Sequence, residues 1–441
     1  MTLTAANEKM TKYRWTICGL IFFATTINYI DRSVISFLKS TFHDQLGWTD
    51  SEYTDVEITF KVFYAIGLLS AGGLIDKMGT KWGYGLSTLL WSIAGVATAF
   101  VNTVMGFQIV RGALGLAEAG NFPSAIKTVA EWFPKKERAL ATGIFNSGTN
   151  IGAIITPLTV PFIVANWGWQ WAFILTGLLG FIWLIFWFLL YEIPRKHKKV
   201  NEAELAFIES DTEDQKGSVG DDTQPKLSWV KLLGFRQTWA FAIGKLLTDP
   251  IWWFYLFWLP DFFESMYNMK ITAASWPVAT VYLLSTIGSV AGGWLPMYFI
   301  NKKGWAVLKA RRVSMLIYAF CVLPILGALV LGEINVWLAV LVIGIAAAAH
   351  QAWSANIFTT VSDMFPKKST ASVTGIGGMF GSVGGIFLSL FVQKNMFVHY
   401  RAEGHIETAY YIMFIVCASA YLVAWIIMQL LIGKKKVIVA G

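Results

Sequence analysis

VRGALGLAEAGNFPSAIKTVAEWFPKKERALATGIFNSGTNIGAI, residues 110–154, is an apolar, glycine-rich stretch that holds Arg111 and Glu118. It turns through Lys135, Lys136 and Arg138 and enters a second apolar segment carrying Asn146 and Asn150. An ionisable side chain at the centre of a bilayer costs about 2.5 to 3.5 kcal/mol on insertion scales, so it faces a cavity or a partner inside a helical bundle. Arg111 and Glu118 are therefore the first candidates for work at a site.

The composition around this stretch agrees with a bilayer. Of 441 residues 56% are hydrophobic and 14% charged, too little polar surface to coat a soluble globule of that size. The chain reads as an all-α membrane protein. Its net charge of +8 comes from short basic clusters between apolar runs and not from one polar face, which argues for membrane orientation and against nucleic acid. Cys18, Cys321 and Cys417 lie within apolar segments without zinc or redox spacing, so no metal site, cofactor or disulfide framework is expected. The first apolar run holds Asn28, Asp31 and Arg32 and lacks a small-residue cleavage site, and so reads as a retained helix.

Apolar runs of about 20 residues, each long enough to span the hydrocarbon as a helix, fall near 14–37, 54–76, 82–102, 105–131, 138–163 and 170–191. Six more fall near 238–262, 273–299, 312–332, 335–360, 370–393 and 408–432. With the N-terminus inside, the inner segments hold 26 Lys and Arg and the outer loops four: Lys39, Lys270, Lys394 and Arg401. This asymmetry predicts twelve spans of a cell membrane with both termini cytoplasmic. The expected organisation is a six-helix half over 1–191, a cytoplasmic loop over 192–237 and a second half over 238–441. The loop opens with RKHKK, offers Asn201 and Glu204 at capping-box spacing before a short amphipathic turn, and becomes acidic to about Asp222.

The halves are related. FPKKERALATGIFNSGTNIGAI at 133–154 aligns without gaps on FPKKSTASVTGIGGMFGSVGGI at 365–386, an offset of 232. This is the signature of a parallel repeat, in which a substrate site lies between halves that rock against each other. The same offset sets His350 at the position of Glu118.

After the second span comes GGLIDKMGTKWG at 72–83. Through Gly72, Leu74, Asp76, Lys77, Gly79 and Lys81 it resembles the signature loop of the major facilitator superfamily, and Arg111, Gly112, Gly115, Glu118 and Gly120 resemble the superfamily's fourth-helix motif. Asp76 at a helix end can latch onto donors of a neighbouring helix, while the lysines hold the loop on one side. NYIDRSVISF at 28–37, GKLLTDPIWWFYLFWLPDF at 244–262 and AHQAWSANIFTTVSDMFP at 349–366, with the opening stretch, are similar to the anion:cation symporter family and most like its bacterial hexuronate transporters. That resemblance implies uptake of glucuronate or galacturonate driven by protons, with Na+ as the other coupling ion to consider. It implies that Arg32 binds the substrate with Tyr29 and Tyr64 beside it, that Arg111 and Glu118 form the coupling pair, and that Asp31 is a second candidate proton carrier.

The residues' own chemistry runs parallel. Arg32 offers a planar fork to a carboxylate and keeps its charge at any physiological pH; the other reading pairs it with a buried acid. Lys245 and Asp249, one turn apart, allow either a cation for the anion's far end or a structural pair, and Pro250 is expected to free a backbone carbonyl and bend that helix, a local discontinuity beside two charged groups. Glu57 and Lys61 fit a rim ion pair better than a site, and Lys127 is expected to snorkel to the surface. Asn146, Asn150, Gln351 and Asn356 could meet a polyol or simply bond neighbouring helices. Trp253 and Trp353 could stack on a sugar ring or belong to the core, and His350 is open between ligand and satisfied core residue.

The mechanism expected is alternating access. Glu118 takes a proton from outside, the anion docks on Arg32, and only the loaded carrier, working as a monomer in the lipid bilayer, reopens inward. Galactonate, tartrate or a dicarboxylate would use the same charges with a different polar set, and a transporter-derived sensor would lose the coupling acid. No filter-like pore loop and no nucleophile–base or metal motif speaks for a channel or an enzyme.

Overall fold

Buried backbone in a bilayer must satisfy its own hydrogen bonds, which leaves a chain of this composition only helices. The computed structural model describes residues 10–210, 227–269, 271–388, 390 and 396–433, and the described residues contain no strand. The acidic part of the central loop, Lys9, Lys270, Lys394 and the run Lys434 to Lys436 lie outside them.

Among the described residues twelve long helices follow one another. The first six are α1 (Tyr13–Ser33), α2 (Asp50–Met78), α3 (Thr80–Thr98), α4 in two pieces (Val104–Glu118 and Asn121–Trp132), α5 (Lys135–Trp167) and α6 (Trp169–Leu190). The second six are α7 (Arg236–Tyr267), α8 (Ile271–Lys303), α9 (Val307–Val322, a 3-10 turn, then Ala328–Ile334), α10 (Val336–Met364), α11 (Lys367–Leu388) and α12 (Ile406–Ile432). Among the described residues eight of them are long and apolar enough to cross a membrane on composition alone. The other four are α1, α3, α4 and α7, and three of these, α1, α4 and α7, carry Arg32, Glu118 and Lys245, the charges of the cavity region described below.

Local signals set the ends. A capping box between Thr49 and Glu52 starts α2, and Gly79, with φ at +81°, makes the reversal into α3 that a residue with a side chain would resist. α7 runs helically through Pro250. The Leu246 carbonyl, which proline leaves without its usual donor, lies against the bare backbone of Gly384 on α11. α4 is broken directly after Glu118.

Within the halves α1 packs on α5 as α7 packs on α11, and α2 on α4 as α8 on α10. Between the halves the seams are α2 on α11 and α8 on α5. Both are made tight by glycine. A Cβ at Gly72 would collide with the Ala371 carbonyl and one at Gly375 with that of Leu68, while Gly293 faces the Ala139 carbonyl and Gly143 that of Ser289. Ala139 and Gly143 are related to Ala371 and Gly375 by the offset of 232, so the repeat in the sequence is a repeat in the packing.

The end of the bundle where α1 begins and α2 ends is closed by buried charges. Asp76 accepts from the backbone N–H of Ser372 (2.8 Å) and from its hydroxyl (2.6 Å), tying α2 to the start of α11. Its other oxygen meets Lys127 Nζ at 3.0 Å. Lys127 also donates to the Ile75 carbonyl and is buried, so it does not snorkel: a carboxylate one helix away is a better partner than distant water. Of the remaining latch residues, Lys77 is exposed and Lys81 pairs with Glu192 at 2.9 Å. Arg311 reaches Asp363 (3.0 Å) and the Lys135 carbonyl (2.8 Å), and Arg138 donates to the Ser362 carbonyl, joining α9 and α10 to α5. The loop helix Glu202–Ile208 docks here too, where buried Glu204 accepts from Arg14 Nη1 at 2.9 Å and from the Tyr13 amide at 3.0 Å.

Asp76→Asn leaves Lys127 buried beside a neutral partner. The expected loss of stability is about 3 to 5 kcal/mol, read as a lowered melting temperature of the detergent-solubilised protein; an unchanged melt would mean that the pair carries little.

Candidate functional site

Beyond this closed end the halves enclose a cavity with about 650 Å³ of empty space, its mouth included. Helices from both halves wall it, and it lies where the buried charges are.

On the wall of the first half Tyr29 and Arg32 sit three residues apart on α1, one helical face, and both line the cavity with Tyr64 of α2 and Asn146 of α5. The Arg32 guanidinium lies 4.4 Å from the Tyr64 ring centroid and 4.8 Å from that of Tyr29, a cation held between aromatic faces. Its Nε donates to Glu118 Oε2 at 3.1 Å, and Nη2 reaches Asn28 at 3.4 Å. Glu118 is fully buried, and its second oxygen has no hydrogen-bond partner.

Arg32 is thus the direct partner of Glu118. Arg111, grouped with Glu118 by the fourth-helix motif, donates instead to the carbonyls of Arg32 (3.2 Å) and Asp31 (3.5 Å). These are orphan carbonyls of the last turn of α1, the negative end of the helix, where a cation is stabilised. Arg111 therefore anchors the element that presents Arg32. Asp31 is buried off the cavity, and neither of its oxygens has a hydrogen-bond partner.

On the opposite wall Lys245 Nζ lies 2.7 Å from Asp249 Oδ2, the paired arrangement, and both side chains line the cavity. His350 lines it too, with Nδ1 2.6 Å from the Tyr421 hydroxyl and its ring stacked 5.2 Å from Trp252. Gln351 bridges the halves: it accepts from Asn146 Nδ2 at 2.7 Å and donates to Asn150 Oδ1 at 3.1 Å. Asn146 and Gln351 face the cavity, whereas Asn150 stands behind them.

Asn356 is not at the cavity. Its amide donates to the carbonyls of Gly292 (2.8 Å) and Ala352 (2.9 Å), so it bonds α8 to α10. Trp353 is fully buried edge-on to Tyr421, while Trp253 lines both the cavity and a smaller one of about 300 Å³ that shares Tyr64 and Ser382 with it. Lys61 pairs with Glu57 at 3.6 Å and also lines that smaller space.

Sequence reasoning passed over Trp252, Thr149, Ser354, Ser382 and Tyr421. Thr149 and Ser354 were within reach, being three and four residues from Asn146 and His350 and hence on the same helical faces. Tyr421 was not, because nothing in α12 marks which of its aromatic residues meets a histidine on α10.

A chain that crosses the bilayer repeatedly in two related bundles, with a charged and amide-lined cavity at their seam, is a membrane transporter and not an enzyme. The chain belongs to the Major Facilitator Superfamily, whose description matches residues 21–389. It is 31% identical to the Hexuronate transporter of Escherichia coli (strain K12), over 84% of this chain and 85% of that protein. It is 32% identical to the Galacturonate transporter of Dickeya chrysanthemi, over 66% of this chain and 84% of that one. Among solved structures its fold is similar to that of the proton:xylose symporter XylE, with a TM-score of 0.75, 16% identity and coverage of 94% of this chain and 95% of that one.

Proposed function

We propose that the protein carries a sugar acid, a hexuronate such as glucuronate or galacturonate, inward across the inner membrane together with a proton. The observation that carries this reading is the Arg32–Glu118 pair, a guanidinium on the cavity wall joined to a buried carboxylate behind it. While Glu118 is charged it neutralises Arg32 through Nε; when it takes a proton, the guanidinium charge is no longer balanced and is open to a carboxylate. Proton and anion thus favour each other's binding, which is the thermodynamic content of coupling. The loaded carrier then exchanges its closed end for an open one by rocking the halves, proposed as residues 1–191 and 238–441 joined by 192–237, about the seams α2–α11 and α8–α5.

The names of the relatives, a hexuronate and a galacturonate transporter, support the substrate class. The excess of Lys and Arg at the closed end supports a cytoplasmic location for it and for both termini. A monomer suffices, since the cavity is complete within one chain.

Uptake into proteoliposomes tests the reading. Labelled glucuronate, galacturonate, galactonate, tartrate and a dicarboxylate are each offered under an imposed pH gradient and, separately, a Na+ gradient. Accumulation of a hexuronate with the pH gradient alone is expected; accumulation of none of the sugar acids would end the proposal.

His350 adds a measurable part. With Nδ1 engaged by Tyr421, its other nitrogen is left for a sugar hydroxyl or carboxylate. His350→Ala is expected to weaken binding by about 1 to 3 kcal/mol, the cost of an unmade buried hydrogen bond, while the response to the pH gradient persists. Unchanged affinity in calorimetric titration would remove His350 from the substrate's contacts.

A further inference from the structure

Two cations face the cavity, and they are held so differently that its two ends cannot accept the same chemical group. Arg32 gives Nε to Glu118 and keeps further N–H donors of its fork for a ligand. Lys245 is a single point of charge. Its Nζ is 2.7 Å from Asp249 and 4.0 Å from the Phe358 ring centroid, and its side chain is 5% exposed against 21% for the acid. What this end presents to the cavity is therefore mainly the carboxylate. The carboxylate is also fixed from behind, because it rests on the bare backbone of Gly381 of α11, where a Cβ would collide with Oδ2.

A second carboxylate brought to this end meets Asp249 before it meets a free cation, and like charges at close range repel. A hydroxyl, by contrast, donates to Asp249 and accepts from Lys245 at once, satisfying both. We propose that Lys245 and Asp249 form a specificity element that admits the hydroxyl-bearing end of a polyhydroxy monocarboxylate and rejects acids with a carboxylate at each end. This rests on the sugar-acid reading above and names which sugar acids pass. The repulsive partner is the selective one, as specificity by exclusion requires.

The test is calorimetric titration of the purified full chain with galacturonate and with galactarate, near neutral pH where the carboxylates of both are ionised. The wild type is expected to prefer galacturonate by about tenfold or more, and Asp249→Asn to shift the ratio toward galactarate by about tenfold. Removing the released cation as well, in Lys245→Met with Asp249→Asn, is expected to undo the shift. Gly381→Ala displaces the carboxylate without deleting it and should move the ratio in the same direction as Asp249→Asn. Differences in shape between the two ligands cancel when the ratio is compared across proteins. A wild type that binds both ligands within about threefold overturns the proposal, as does a ratio unmoved in an Asp249→Asn protein that still binds galacturonate. A wild type that binds neither overturns the sugar-acid reading itself, and this proposal with it.

Discussion

Arg32→Lys is expected to weaken binding of every carboxylate ligand by about 2 to 3 kcal/mol, roughly 30- to 150-fold, with the fold intact. The charge is kept, so Glu118 does not become a buried acid without a cation, the situation that destabilises a bundle. What is lost is geometry. The guanidinium spends Nε on Glu118 and lies within 4.8 Å of the ring centroid of Tyr29 and 4.4 Å of that of Tyr64, and its remaining donors share the fixed plane of the fork. An ammonium at that position has three donors in no fixed plane and cannot serve Glu118 and a bidentate carboxylate together. Titration with galacturonate, alongside a melting curve, reads both parts of the prediction. Affinity close to wild type would take Arg32 out of the site.

Glu118→Gln is expected to separate transport from the proton. A glutamine keeps the volume and an oxygen for Arg32 Nε but never carries charge, so it mimics the protonated acid at every pH. Counterflow exchange should survive and ligand affinity should lose its dependence on pH. For one proton per monovalent anion, a gradient of one pH unit supports about tenfold accumulation, and the variant should accumulate nothing from it. Continued accumulation would place coupling elsewhere. Asp31 is then next to test, since both its oxygens are buried without a hydrogen-bond partner next to Arg111's anchor on α1.

Much of the architecture was legible before any coordinates. Span count and order follow from hydropathy because unpaired backbone is so costly in hydrocarbon that an apolar run has one regular solution. The repeat at an offset of 232 was visible as well, and the packing repeats with it at Gly143 and Gly375. Residues three or four apart, such as Tyr29 with Arg32 or Lys245 with Asp249, could be set on one face from helical geometry alone.

What stayed hidden was partner choice between helices. Buried charges occur on several helices, and helical period says which way a charge points without saying which neighbour it meets. The break after Glu118 ends the first piece of α4 at the acid, whose carboxylate meets Arg32, 86 positions away in the sequence, while Arg111 turns to the end of α1. In the same way Lys127 found Asp76 and not water, and Asn356 found the carbonyl of Gly292 and not the cavity. Sequence by itself determined that these polar groups had to be buried in a bundle of related halves. Only the tertiary structure decided their partners, because rotation of each helix about its axis is set by packing at the seams, and a rotation of one residue's worth exchanges a partner across the interface for one within the half.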